Sequence, residues 1–177
     1  MDPGLARHLH ALDSRRSELL ATVRNASPVQ RAFRPAADSW SMLDVVEHLV
    51  LAEEGALLSL TKGPRPGSRV TLRNRVAVVL VRLYLSAGFR ARVPASRIMP
   101  QGGLSLDELE RRWATVSAAL RDRLAGLHGA DLRVPKFRHP VAGWLPAASG
   151  FAFLVTHLAH HRRQLDRIRR SPGYPSA

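Results

Sequence analysis

The 177-residue chain contains no cysteine, and this absence excludes several kinds of chemistry. There can be no disulfide, no thiolate metal ligand and no protein thiol acting as a nucleophile. Long apolar runs are also missing: the longest, from Val76 to Phe89, is interrupted by Arg82 and falls short of the roughly 18 residues of a membrane-spanning helix. The N-terminal segment MDPGLARHLH lacks the apolar region of a secretion signal. We therefore expect a cytoplasmic protein with no membrane partner.

Lysine is nearly absent, since Lys62 and Lys136 accompany 25 arginines. Such a strong preference for arginine over lysine indicates codon bias in a GC-rich genome. A binding surface has uses for both cations and would not by itself exclude lysine. Carboxylates are absent between Glu54 and Asp107, so most of the formal net charge of +13 lies in the middle third and could attract an anionic partner. The cations of this acid-free stretch are Lys62, Arg65, Arg69, Arg73, Arg75, Arg82, Arg90, Arg92 and Arg97.

The remaining composition is that of a folded domain, with 45% apolar and 23% charged residues. At ~150 residues per domain, residues 1–177 are expected to form one domain, with a poorly ordered tail at 171–177. Proline and glycine divide the chain into five stretches with apolar residues at helical spacing, and no pair of strands with a hairpin turn is apparent. We predict an all-α fold, an antiparallel four-helix bundle with an additional short helix or irregular crossover.

Capping residues mark where several of these helices begin. Asp2 precedes a proline at the first helical position, and capping boxes start at Ser41 and Ser105. The valines of the third stretch also suit a strand, but its length and its lack of an internal turn signal favour a helix. The five predicted helices span about residues 2–25, 41–62, 68–88, 105–128 and 146–170.

Three of the eight histidines lie on the last predicted helix. His157 and His161 are four residues apart, so both can bind one metal ion from the same helix face. His157 and His160, three residues apart, are a poorer alternative. A polar, solvated helix end would give the same pattern, and the neighbouring Arg162 and Arg163 support that interpretation.

His48 offers a third candidate ligand from the second helix, in an otherwise apolar segment. Ala52 and Gly55 follow it on the same face, which leaves space for a pocket beside the imidazole. A core histidine bonded to a carbonyl, or small residues that permit close helix packing, would explain the pattern equally well. Asp44, four residues earlier, could orient His48, but its capping duty explains it and we favour the cap.

Several motifs occur in an order and spacing that match one known superfamily. They are Ser39-Trp40-Ser41 followed by His48-Leu49, the proline-bounded segment 93–100 before Ser105, the run from His139 to Leu145, and His157-x-x-x-His161-x-x-Gln164. Over residues 33–170 this set resembles the DinB-like (YfiT-like) superfamily of metal-binding four-helix bundles.

The resemblance implies that His48, His157 and His161 hold one divalent metal ion. Zinc or nickel is expected first, with iron or manganese as alternatives, because imidazole discriminates poorly among these metals. Three nitrogen ligands leave a coordination position open, as in catalytic sites. His139 and Gln164 match motif positions for which we expect a loop-structuring role or a hydrogen bond to a ligand residue.

The resemblance also implies a metal-dependent enzyme of the thiol-transferase or isomerase type, such as a thiol S-transferase or a related hydrolase, acting on a small electrophile. A low-molecular-weight thiol would then come from a cosubstrate, since the chain has no cysteine. A non-catalytic metal-binding or stress-related bundle is the alternative. A nucleic-acid-associated protein is a further one, but there are only two tyrosines and no recognised DNA-binding motif, so we expect no nucleic acid.

Two expectations concern surfaces. A homodimer is expected, because bundles of this size often pair through an exposed apolar helix face. The acid-free stretch is expected to form one positive face, with Arg69 and Arg73 on the same side. Arginines that serve an anionic cosubstrate would border the metal pocket, whereas most of the others would be exposed, their alkyl stems covering apolar helix surface.

Overall fold

The computed structural model describes residues 1–89 and 96–176. Apart from 3-10 turns at Ser96–Ile98 and Gly129–Leu132, its regular elements are α1 (Pro3–Arg24), α2 (Pro28–Ala32), α3 (Met42–Lys62), α4 (Leu72–Ser86), α5 (Leu106–Ala125), β1 (Phe137–His139), β2 (Gly143–Leu145) and α6 (Ala147–Arg169). The predominantly helical fold that the sequence predicts is confirmed, and a small two-stranded sheet is added to it.

Four long helices form the predicted bundle. Helix α1 packs against α5 and α6, and α3 packs against the same two helices, which closes a ring. Leucine and aromatic side chains fill its centre, among them the fully buried Leu12, Leu49, Trp113 and Phe151. Helix α4 lies outside this ring, against α6 and β2, and is the additional helix.

The helix starts follow local capping chemistry. The predicted boxes of Ser41 with Asp44 and of Ser105 with Glu108 are both present. A further box at Thr71, which we did not predict, starts α4 at Leu72, a few residues later than expected. The helical interpretation of the valine-rich third stretch is confirmed.

The prediction that the chain lacks a strand hairpin was wrong. Strands β1 and β2 pair antiparallel, with Arg138 opposite Trp144 and His139 opposite Gly143. Three residues a strand are too few to show an alternating pattern. The hairpin depends instead on packing against α6, where the Phe137 ring occupies the space that a side chain at Gly150 would need.

Two residues of the tail that the sequence predicts to be poorly ordered, Tyr174 and Pro175, contact α2 and its C-cap. The Tyr174 ring packs edge-on against Phe33 with centroids 5.5 Å apart. Nε2 of Gln30 donates a hydrogen bond of 2.9 Å to the carbonyl of Pro175. These contacts join the tail to the segment that follows α1.

The outer side of α4 is apolar and exposed. Leu72, Val76, Val79 and Leu83 recur at helical spacing and are each about half exposed or more. The expected homodimer stays a prediction, to be checked by sedimentation. Within residues 1–89 and 96–176, no helix combines the length and apolar character that crossing a membrane requires.

Candidate metal centre

Three buried imidazoles from two helices meet between α3 and α6. Nε2 of His157 lies 3.2 Å from Nε2 of His48 and 3.0 Å from Nε2 of His161. One nitrogen from each of the three rings lies within 4.8 Å of the others, so the cluster could hold a metal ion. The convergence that the sequence predicts is therefore present.

His160 does not join this cluster, although it precedes His161 in the chain. Its Nδ1–H donates to the carbonyl of Leu85 at 3.3 Å, near the end of α4. Arg163 donates to the same carbonyl and to that of Ser86. These side chains of α6 bond to carbonyls at the C-terminus of α4, where the Leu85 carbonyl also accepts from the amide of Gly88. His160 thus contributes a hydrogen bond between α6 and the C-terminal end of α4.

Two of the clustered rings are held by hydrogen bonds through their other nitrogen. Nδ1–H of His48 donates to the carbonyl of Ile98, and Nδ1–H of His161 donates to Oε1 of Gln164, both at 2.7 Å. A neutral imidazole carries one proton, so the Nε2 of each ring presents a lone pair toward His157. Bonding of this kind fixes the tautomer that a metal ligand needs.

This donor set fits a divalent metal. Nitrogens bound to one ion at about 2.0–2.1 Å lie roughly 2.8–3.4 Å apart, for angles between octahedral and tetrahedral. The two observed nitrogen separations of 3.0 and 3.2 Å fall in this range. His157 can donate a proton to only one neighbouring ring, so protein hydrogen bonds alone cannot satisfy the facing lone pairs of His48 and His161.

Burial keeps the three imidazoles neutral. It is the largest cause that lowers the pKa of His48, and it lowers the pKa of His157 and His161 well below 6.5. Repulsion between the rings adds to this effect, while the hydrogen bonds to Ile98 and Gln164 oppose it. At neutral pH the cluster is therefore in the deprotonated state that binds a metal.

Aromatic rings surround the cluster on two sides. Trp40 lies over His48 at a centroid distance of 4.8 Å and stacks with His161 at 6.2 Å. Phe153 stacks with His157 at 5.3 Å. In the Trp40-Ser41 motif, the serine thus begins α3 and the tryptophan covers the site. No role for this tryptophan was predicted from the sequence.

Asp44 has the capping role that we favoured. Its carboxylate accepts hydrogen bonds from N and Oγ of Ser41 at 2.7 and 2.8 Å, and Arg34 pairs with it at 2.8 Å. His139 structures a loop, since its Nδ1 accepts hydrogen bonds from the amides of Val141 and Ala142. Gln164 makes the expected bond to a candidate ligand.

Glu47, one residue before His48, was missed by the sequence analysis. Its buried carboxylate accepts hydrogen bonds from the amides of Gln101 and Gly102 at 3.1 and 2.9 Å. These bonds hold the segment around Gln101 and Gly102 against α3. The same segment contains Ile98, whose carbonyl accepts the hydrogen bond that orients His48. Glutamate in an apolar helix segment was the available signal, but its partner is more than fifty residues away.

A cavity of about 930 Å³ opens beside the histidines. Ala52 and Gly55 line it, as the spacing predicts. A Cβ atom added at Gly55 would meet no atom within 4 Å, so this glycine borders open space and not another helix. The volume lies within the common range for small-molecule sites.

The cations of the acid-free stretch have different surroundings. Arg69 and Arg73 are exposed and do not line the cavity, whereas Arg97 does. Arg82 is half-buried and donates to Oγ1 of Thr156 at 3.3 Å. Arg90, Arg92 and the motif residues 93–95 lie outside the described residues. Most of the described cations of this stretch are exposed, as expected.

Comparison with known proteins places the bundle in context. The family model described as the DinB superfamily matches residues 11–165. The crystal structure of TT2238, a four-helix bundle protein, is similar over 92% of this chain and 98% of that chain, with a TM-score of 0.60 and 23% identity. At this identity the similarity shows the shared fold alone. None of the curated proteins matches the chain.

Proposed function

Because the chain belongs to the DinB superfamily, we propose that it is a metal-dependent enzyme in which His48, His157 and His161 hold one divalent metal ion. The observation that carries this proposal is the set of three buried histidines whose ring nitrogens lie within 4.8 Å of one another beside a large cavity. Outward hydrogen bonds to Ile98 and Gln164 hold two of the rings in the ligand tautomer. Zinc or nickel suits three neutral imidazoles first, and iron or manganese is the alternative.

Such a metal, when bound, supplies a Lewis acid that polarises a carbonyl or lowers the pKa of a thiol or water. The protein supplies the surroundings. Trp40 packs against His48, and Phe153 stacks with His157. Ala52 and Gly55 leave room for a substrate beside His48.

We propose that the reaction is transfer of a low-molecular-weight thiol to a small electrophile, or a thiol-dependent isomerisation. The absence of cysteine from the chain means that the thiol must enter as a cosubstrate. A cavity of about 930 Å³ lies near the upper end of small-molecule sites and has room for two small reactants together. Hydrolysis of the electrophile by water at the same site is the related alternative.

Metal analysis of protein purified without a histidine tag tests the first step. We expect one divalent metal ion per chain in the wild type and in His160→Gln, whose amide can still donate to Leu85. His48→Ala, His157→Ala and His161→Ala should lose it. Wild-type protein that takes up no metal, or equal loss in His160→Gln, would refute the proposal.

Turnover separates an enzyme from a non-catalytic bundle. Metal-loaded protein should consume thiol in the presence of an electrophile, and His157→Ala should not.

The nucleic-acid alternative depends on exposed arginines away from the cavity, such as Arg69 and Arg73. A shift assay with duplex DNA over ~50–200 mM salt tests it, since phosphate contacts weaken steeply over that range. Tight binding at the upper salt concentration would place that alternative first.

A further inference from the structure

The charge around the cavity is unbalanced. Arg97 from the Ser96–Ile98 turn, Arg138 from β1 and Arg167 from α6 all line it. Among its described lining residues, Asp38 is the one carboxylate. The three arginines come from separate elements, so only the tertiary structure brings them to one site.

Arg97 and Arg138 differ from the arginines that join two helices of the bundle. Arg24, Arg112 and Arg121 each pair with a carboxylate of another helix. Within residues 1–89 and 96–176, Arg97 and Arg138 form no hydrogen bond or ion pair, and both are exposed at the cavity. Their guanidinium groups therefore have donors available for a ligand.

Arg167 carries positive charge toward the histidines. It follows Gln164 by three residues on α6, is half-buried, and lines the cavity together with His160 and His161. The cation set thus extends from the exposed side of the cavity toward the candidate metal centre. An anion in the cavity would be attracted along this path.

The rest of the cavity wall is largely apolar. Leu80 and Tyr84 of α4, Met99 after the turn, and Phe153 of α6 face the same space. A ligand that fits this wall has an apolar body, and one that fits the arginines has an anionic group. Arginine binds carboxylates and phosphates through paired hydrogen bonds.

We infer that the cavity selects a small amphipathic anion, with its carboxylate or phosphate held by Arg97 and Arg138 and its apolar body directed toward the histidines. This inference rests on the proposed function, because the anion would be the substrate or cosubstrate of that site. Arg97 and Arg138 would thus determine which ligand binds, whereas the three histidines would hold the metal ion.

Matched ligands test the inference by calorimetric titration. The probes are 4-phenylbutyrate, its neutral amide 4-phenylbutyramide, and phenyl phosphate. They are titrated into the full chain as purified and after removal of metal by chelation, since a carboxylate can also bind a metal directly. We expect an anion to bind about ten-fold or more tightly than the amide in both forms. Tighter binding of the carboxylate or of the phosphate identifies the anionic group.

Two double variants with equal loss of charge provide the control. R97Q/R138Q should remove the preference for an anion, whereas R69Q/R73Q, which alters exposed arginines outside the cavity, should retain it. Equal affinity for the anions and the amide in the wild type, equal loss in both double variants, or no binding of any probe would overturn the inference. Metal content is measured in parallel: normal metal content with no anion preference refutes this inference alone, and missing metal refutes the proposed function.

Discussion

Nδ1–H of His161 donates a hydrogen bond of 2.7 Å to Oε1 of Gln164, three residues later on α6. The two side chains lie on the same helix face, so the helix itself sets their separation. This bond holds the proton on Nδ1 and leaves the lone pair of Nε2 directed at His157, 3.0 Å away. Gln164 is thus a positioning residue for a candidate ligand.

Gln164→Leu should weaken metal binding by about 10–100-fold, because the leucine cannot accept the proton of His161. Competition with a chromogenic chelator measures the affinity. Gln164→Glu is the matched variant: its carboxylate restores an acceptor, so its affinity should equal or exceed that of the wild type. Unchanged affinity in Gln164→Leu would show that the bond does not orient a ligand.

Two glycines should respond in opposite ways to a larger side chain. Gly55 borders open space within a helix, so Gly55→Ala should raise the free energy of unfolding by roughly 0.5–1 kcal/mol. Gly55→Leu should fold normally but bind cavity ligands more weakly. At Gly150 an added Cβ would overlap the Phe137 ring, so Gly150→Ala should destabilise the protein by about 1–3 kcal/mol.

Urea denaturation gives these free energies of unfolding, and titration with 4-phenylbutyrate measures binding. If Gly55→Leu unfolds the protein, the glycine is needed for packing and the assignment of the cavity wall is wrong. If Gly150→Ala is as stable as the wild type, the hairpin does not depend on its close approach to α6.

His139 should make the protein less stable in acid. Burial lowers its pKa from 6.5 to about 4. Between these values the unfolded chain binds a proton that the folded chain does not, so stability falls as the pH decreases. The loss should approach about 1.4 kcal/mol per pH unit below pH 6.5, and the contribution is complete above that pH.

The variant His139→Asn separates this effect from the other buried histidines. Asparagine does not titrate, and its oxygen can accept the amides two and three residues later, as Nδ1 of His139 does for Val141 and Ala142. Urea denaturation of metal-free protein from pH 7 to pH 4 should show a smaller loss of stability in the variant. Parallel pH curves for both proteins would contradict the assignment.

A buried ion pair joins α1 to α3, and breaking it should be costly. Nη2 of Arg16 lies 2.9 Å from Oε2 of Glu53, whose side chain is 3% exposed. Burial raises the pKa of Glu53, and Arg16 opposes that shift. Arg16→Met should therefore lower the free energy of unfolding by roughly 3–5 kcal/mol, because it leaves a buried carboxylate unpaired.

Removing both charges should restore much of this loss. In Arg16→Met with Glu53→Leu, apolar side chains of similar volume replace the pair and no buried charge remains. Urea denaturation at pH 7 compares the three proteins. A double variant as unstable as Arg16→Met alone would show that the single variant acts through lost packing and not through an unpaired charge.

The sequence predicts the features that depend on neighbours within about one helical turn. Ser41 with Asp44 and Ser105 with Glu108 mark helix starts through contacts three residues apart. The same local reach places His157 and His161 on one face. His48 could not be chosen by spacing alone, and it was the ordered set of motifs around it that identified it as a candidate ligand.

Contacts between distant segments were decided by the tertiary structure. The pairing of β1 with β2 involves too few residues to show a period, and it depends on the fit of Phe137 against Gly150. The carbonyl of Ile98 reaches His48 across fifty positions of the chain. Arg97 and Arg138 look like any other exposed arginines in the sequence, and they become candidate ligand-binding residues only because the fold brings their separate elements to the same cavity.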